Sequence, residues 1–167
     1  MLWLRALIFT VLVPGSVAVL APWTIYNGSA LAGSWWQAGW PLVIAGATIY
    51  LLCLLTFLAE NGTPAIFFTR ALRSVLGEEP GTLVRGGLYR YSRNPMYVGV
   101  LAVVFGQAIL FASLALTVYG VVLFAAFDMV VAFLEEPHLK ARDPFAFEAY
   151  SRTTPRWLGL RHQKSHQ

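Results

Sequence analysis

Hydrophobic positions along the chain fall into long, nearly unbroken runs, not into the period of two or of three to four that marks half-buried strands or helices. From Leu2 to Pro22 the only charge is Arg5, and the run is long enough to cross roughly 30 Å of hydrocarbon at about 1.5 Å per residue. Pro14 and Gly15 predict a kink within it. Arg5 ahead of an apolar stretch, with Ser16-Val17-Ala18 resembling a cleavage site, is also the pattern of a signal peptide; the length of the stretch favours a retained span. A second run, Trp40 to Ala59, is interrupted only by Gly46, Thr48, Tyr50 and Thr56, all tolerated in membrane helices. From Tyr97 to Leu134 the one charge is Asp128, and a single helix of that length would reach about 57 Å, nearly twice the hydrocarbon thickness. The run must fold back. A turn near Ala112-Ser113-Leu114 divides it into a short span at about 98–112 and a fuller one at about 115–134.

Charge turns these runs into a topology. All twelve Lys and Arg residues lie in three places: Arg5 before the first run; Arg70, Arg73, Arg85, Arg90 and Arg93 between the second and third; and Lys140, Arg142, Arg152, Arg156, Arg161 and Lys164 after the fourth. The positive-inside rule then predicts spans at 2–22, 40–59, 98–112 and 115–134, with both termini and the central loop cytoplasmic. Trp3, Trp23, Trp35, Trp36 and Trp40 fall at the expected interfaces, where an indole anchors a helix. The residues Phe145 to Trp157 interleave aromatics with Glu148, Arg152 and Arg156, as an interfacial amphipathic helix does. The expected fold class is therefore all-α, a polytopic membrane protein of about four transmembrane helices with a cytoplasmic central loop and an amphipathic C-terminal helix. It forms a single embedded domain over 1–158, followed by a polar tail over 159–167.

Composition agrees, with 57% hydrophobic and 12% charged residues, well outside the range of a soluble domain. The net charge of +4 does not point to nucleic acid, because the cations flank apolar runs and form no continuous stripe. Cys53 is the single cysteine, so neither an intrachain disulfide nor a cysteine metal site can form. No His-Glu-x-x-His helix exists, His138, His162 and His166 lie in or near the tail, and no metal is expected.

Two polar clusters border the third and fourth runs on the same side. The first runs from Gly86 to Tyr97, where Pro95 suits a helix start and disfavours helical geometry at Asn94. Arg93 and Asn94 are thus expected in a turn at a helix N-terminus, whose free N–H groups suit an anionic ligand; contact with lipid phosphates is the plainer alternative. The second is Glu135-Glu136, expected at a helix C-terminus where two carboxylates oppose the dipole and call for a cation; pairing with Arg90, Arg93 or Lys140 would supply it. Asp128, seven residues earlier, is expected on the same helical face and deeper. An acid at that depth faces a wet cavity and functions there, or pairs with a polar group such as Gln107.

Across these clusters the chain resembles the isoprenylcysteine carboxyl methyltransferase and phospholipid methyltransferase superfamily of membrane enzymes. The resemblance rests on Gly87-x-Tyr89-Arg90-Tyr91-x-Arg93-Asn94-Pro95-Met96-Tyr97-x-Gly99, an intervening hydrophobic hairpin, Glu135-Glu136-x-x-Leu139, Phe147-Glu148-Ala149-Tyr150 and Pro155-Arg156-Trp157. Gly62-Thr63-Pro64 is similar to a block of bacterial members, which makes a bacterial inner membrane the expected setting. The resemblance implies a methyltransferase that uses S-adenosylmethionine and acts on a lipophilic or small acceptor, whether carboxylate, amine or thiol. It implies cofactor contacts at Tyr89, Arg93, Asn94, Pro95, Tyr97, Gly99, Glu135, Glu136 and Tyr150, and catalytic work at Asp128, Arg93 and Glu136. Glu135 and Glu136 would hold the ammonium or ribose hydroxyls, Arg93 the carboxylate, and the three tyrosines the walls. Departures from the family pattern are Asn94 where many members carry histidine, Asp143-Pro144 for Phe-Gly, and Phe147 for tyrosine. The competing class is a non-enzymatic membrane scaffold or lipid-binding module with a decayed cofactor site.

Overall fold

The computed structural model describes residues 2–26, 37–64 and 80–159. Trp35, Trp36, Arg70, Arg73, Arg161, Lys164, His162, His166 and most of the polar tail lie outside the described residues. Those described are all-helical, without a strand among them. We number the helices α1 (Leu2–Ile25), α2 (Gly39–Ala59), α3 (Pro95–Leu110), α4 (Leu114–Arg142) and α5 (Pro144–Thr153). Helices α1, α2 and α4 are each long and apolar enough to cross a membrane, and α3 is a shorter apolar helix. Trp3, Trp23 and Trp40 stand exposed at helix ends.

The expected hairpin is present. Helix α3 ends at Leu110, and Ala112 takes a left-handed conformation (φ 47°). The Ser113 N–H donates to the Ala108 carbonyl at 2.9 Å, the six-to-one bond that closes a helix C-terminus. Ser113 then caps α4, its hydroxyl accepting from the Leu116 N–H at 3.3 Å.

Both long helices containing an internal proline depart from regular α geometry. In α1 the departure is a π-turn over Ser16–Leu20, just after the Pro14-Gly15 pair at which a kink was expected. The Ala21 N–H bonds the Ser16 carbonyl, and Pro22 has no N–H, so the Val17 carbonyl loses both of its intrahelical donors and the Ala18 carbonyl loses its usual one. Two side chains from the hairpin replace them. Tyr119 Oη donates to Val17 O at 2.8 Å, and Gln107 Nε2 donates to Ala18 O at 2.6 Å. Gln107 therefore ties α1 to α3 and is not the partner of Asp128. Gln107→Leu is expected to destabilise the protein by about 1–2 kcal/mol by orphaning that carbonyl. The loss should shrink when Pro22→Ala restores a backbone donor, as thermal unfolding of the four variants in detergent would register.

In α4 the π-turn covers Val131–Glu135, with the Glu136 N–H bonded to the Val131 carbonyl. It lies one turn before Pro137 and lets the helix continue to Arg142. Glu135 and Glu136 are consequently not at a helix C-terminus; Lys140 and Arg142 occupy the last turn, where cations complement the dipole. The extra residue in the turn also shifts the register. Glu136, not Glu135, comes round to the side of Asp128.

Helices α2 and α3 pack most closely along a seam of paired glycines, Gly39 with Gly106 and Gly46 with Gly99. A Cβ built on Gly46 would lie 2.5 Å from the Gly99 carbonyl oxygen, and one on Gly99 would lie 2.8 Å from that of Gly46. Thr10 Oγ1 and Tyr50 Oη, 2.8 Å apart, join α1 to α2. The buried core lies where α1 meets the hairpin, around Ala18, Val100, Leu101, Val104 and Leu123. Because α3 and α4 are joined at Ser113, the start of α3 and the latter part of α4 lie at the same end of the bundle.

Candidate functional site

The Arg93 turn is shaped by short-range rules. Gly87 adopts φ +55°, a conformation that favours glycine. A single 3-10 turn, Gly87–Arg90, follows and buries Tyr89. Pro95 opens α3 from Asn94, whose backbone is non-helical (φ −129°) as the preceding proline requires.

The chain beyond α5 crosses this turn as a strap. Arg93 N–H donates to the Pro155 carbonyl at 2.9 Å. The Arg156 carbonyl accepts from Asn94 Nδ2 at 2.9 Å and from Ser92 Oγ at 3.3 Å. Asn94 is buried and committed as a donor, so it serves to hold the strap. The Asp143-Pro144 departure has an equally local role: Asp143 Oδ1 accepts from the Ala146 N–H at 2.9 Å and Pro144 takes the first helical position, a capped start for α5. Helix α5 turns Phe147 and Tyr150 inward and leaves Phe145 exposed. Its apolar face thus covers protein, and Trp157, expected inside this helix, lies past its end in the strap.

Four ionised side chains form a chain across the site. Arg93 Nη1 stands 3.0 Å from Glu136 Oε1. Arg156 grips the same carboxylate with both arms, Nε to Oε1 at 3.0 Å and Nη2 to Oε2 at 2.7 Å. Its remaining nitrogen, Nη1, is 3.4 Å from Asp128 Oδ1, which also accepts from the Trp157 indole N–H at 2.8 Å. The bond to Glu136, and then the nearby charges of Glu136 and Asp128, raise the Arg156 pKa against the opposing effect of its burial. Asp128, 43% exposed, lines neither of the two cavities beside Arg93. Neither does Glu136, while Glu135 lines both.

Those cavities meet at a common wall of Phe57, Tyr89, Arg93 and Glu135. One, enclosing about 370 Å³ with its mouth, is bounded by Pro80, Thr82, Leu83, Val84, Leu139, Arg142 and Tyr150. The other, about 580 Å³ with its mouth, reaches Phe9 and Val13 of α1, Pro64, Asn94, Met96 and Tyr97. Tyr97 Oη donates to Glu135 Oε2 at 3.1 Å. Tyr150 Oη donates to the Tyr89 carbonyl at 2.6 Å, closing the wall from behind. Burial pushes both the Tyr89 and the Tyr150 phenol well above the ordinary value, so both are neutral donors at any physiological pH. Arg93 lies with its guanidinium 5.8 Å over the Phe147 ring, and its buried Nε has no hydrogen-bond partner among the described residues.

Of the residues singled out from sequence, Tyr89, Arg93, Asn94, Tyr97, Glu135 and Tyr150 gather at these cavities. Pro95 sets the start of α3. Gly99 lies in the seam with α2, and Glu136 and Asp128 stand behind Arg93 in the ion chain. Arg156 and Trp157, which the sequence marks only as part of the Phe145–Trp157 stretch and of the Pro155-Arg156-Trp157 block, carry no expected role at the site. Residues 38–142 match the family model described as phospholipid methyltransferase, a stretch that takes in α2, the Arg93 turn, the hairpin and both glutamates and stops short of α5 and the strap. No curated protein and no solved structure matches the chain.

Proposed function

Because the chain belongs to the phospholipid methyltransferase family, whose membership points to a methyltransferase working in a membrane, we propose that it transfers the methyl group of S-adenosylmethionine to an acceptor drawn from the bilayer. In this reading the protein crosses the membrane four times with the Arg93 turn and the strap on the cytoplasmic face, as the distribution of Lys and Arg requires. The observation that carries the proposal is the shared wall: two cavities, one beside the polar segments and one reaching apolar residues of α1, both lined by Phe57, Tyr89, Arg93 and Glu135.

The residues suit the cofactor chemically. Arg93 Nε is a buried donor in need of an acceptor, which a carboxylate supplies with a charge-assisted bond. Glu135 offers the opposite charge to an ammonium or sulfonium, and the Tyr89, Tyr150 and Phe57 rings offer faces to adenine. When bound, the cofactor supplies a methyl group on a positively charged sulfur, a leaving group that needs no protonation. The protein's part is then alignment and charge. Arg93 and Glu135 orient the donor from the common wall. Phe9, Val13 and Met96 hold an apolar acceptor in the other cavity. For a neutral amine acceptor, Glu135 would take the proton that the amine loses on methylation; for a carboxylate or thiolate acceptor its role would be electrostatic only.

The test is a transfer assay with methyl-labelled S-adenosylmethionine against membrane lipid extract, small thiols and prenylcysteine analogues in parallel, beside calorimetric titration with S-adenosylhomocysteine. Saturable binding and label in one acceptor class are the expected results. No binding and no label would leave a membrane scaffold in place of an enzyme.

A further inference from the structure

The family match ends at Arg142, yet the ion chain behind the common wall is completed from beyond it. Arg156 never touches either cavity. It nonetheless controls the turn that does, from two directions. Through its side chain it holds both oxygens of Glu136, the carboxylate that pairs with Arg93. Through the main chain the strap accepts from Arg93 N–H, Asn94 Nδ2 and Ser92 Oγ. Asp128, itself held by the Trp157 indole N–H, stands at the far side of the Arg156 guanidinium.

We propose that Arg156 is a positioning residue for ligand binding: by clamping Glu136 and the Arg93 turn together, it sets the direction of the Arg93 guanidinium toward the shared wall of the two cavities. The physical reason is the sharing of one carboxylate. With Arg156 in place, both oxygens of Glu136 are held by its two-pronged grip, and Arg93 reaches the carboxylate with Nη1 alone. The Arg93 Nε is then left buried and without a partner among the described residues. Without Arg156, Glu136 is free to take Arg93 bidentately, the preferred geometry for such a pair, and the donor turns away from the cavity.

This inference rests on the cofactor reading above, and a double-mutant cycle separates the two. S-adenosylhomocysteine binding is titrated for the full-length wild-type protein in detergent, Arg156→Gln, Arg93→Gln and the double variant, with thermal midpoints recorded for each. Arg156→Gln is expected to lose about tenfold in affinity, Arg156→Lys to regain part of it, and the double variant to bind no more weakly than Arg93→Gln alone, because both changes remove the same contact. A merely structural role would lower the midpoint and leave affinity intact, or make the two losses additive; either outcome overturns the proposal while the cofactor reading stands. A wild-type protein that takes up no S-adenosylhomocysteine overturns both.

Discussion

Arg93→Gln is expected to weaken binding of S-adenosylhomocysteine by at least about thirtyfold, the lower end of what removing one partner of a buried, hydrogen-bonded charge pair costs. The size follows from where the guanidinium sits. It lines both cavities, pairs with Glu136, lies over Phe147, and keeps a buried Nε free of any described partner. The same change should cost little stability, for a specific reason: Glu136 keeps both of its bonds to Arg156, so no carboxylate is left unpaired in the interior. Calorimetric titration beside a thermal melt reads the two effects separately. Affinity within about threefold of wild type, a difference well under 1 kcal/mol, would remove Arg93 from the binding site.

The largest effect on stability is expected at the glycine seam. Gly46→Val would place its Cβ 2.5 Å from the Gly99 carbonyl oxygen and 2.8 Å from the Val103 nitrogen. Both are backbone atoms of a helix, so neither can swing aside, and α2 and α3 must part along their length. Close backbone approach through small residues is what holds membrane helices together, since lipid competes equally for their apolar side chains. Overpacking of this kind costs about 3 kcal/mol, equivalent to a fall of roughly 10 °C in the thermal midpoint for a chain of this size. Gly81→Ala is the matched control. Nothing lies within 4 Å of a Cβ at that position, and the midpoint should not move.

The seam also changes the meaning of Gly99. In the sequence it stands one residue past Tyr97-Val98 inside a polar motif, and the resemblance attaches it to cofactor binding. In the fold it faces Gly46, and its influence on the site passes through the position of α3. Nothing in a linear motif distinguishes a glycine that lets a ligand approach from one that lets a helix approach, because both require only the absence of a Cβ.

Much of the rest was legible along the chain. The long apolar runs, the fold-back near Ala112-Ser113, the helix start at Pro95 and the meeting of Arg93 with the double glutamate depend on hydropathy and on the stereochemistry of proline and of helix ends. These act over a few residues at a time, and they can be read without knowing what packs against what. The choice between Glu135 and Glu136 could not. A π-turn ahead of Pro137 adds one residue to the path from Asp128, turning Glu136 to the ion chain and Glu135 to the cavities. Nor could the arrival of Arg156, brought onto Glu136 and the Arg93 turn by a capped α5 and an extended Thr154. Helix register and strap placement are decided by the sum of many distant contacts, each too weak to leave a mark on the residues beside it. The chain's own pattern therefore established which segments are apolar enough to enter a membrane and where the charge collects, and only the packed bundle decided which carboxylate and which guanidinium face the cavities.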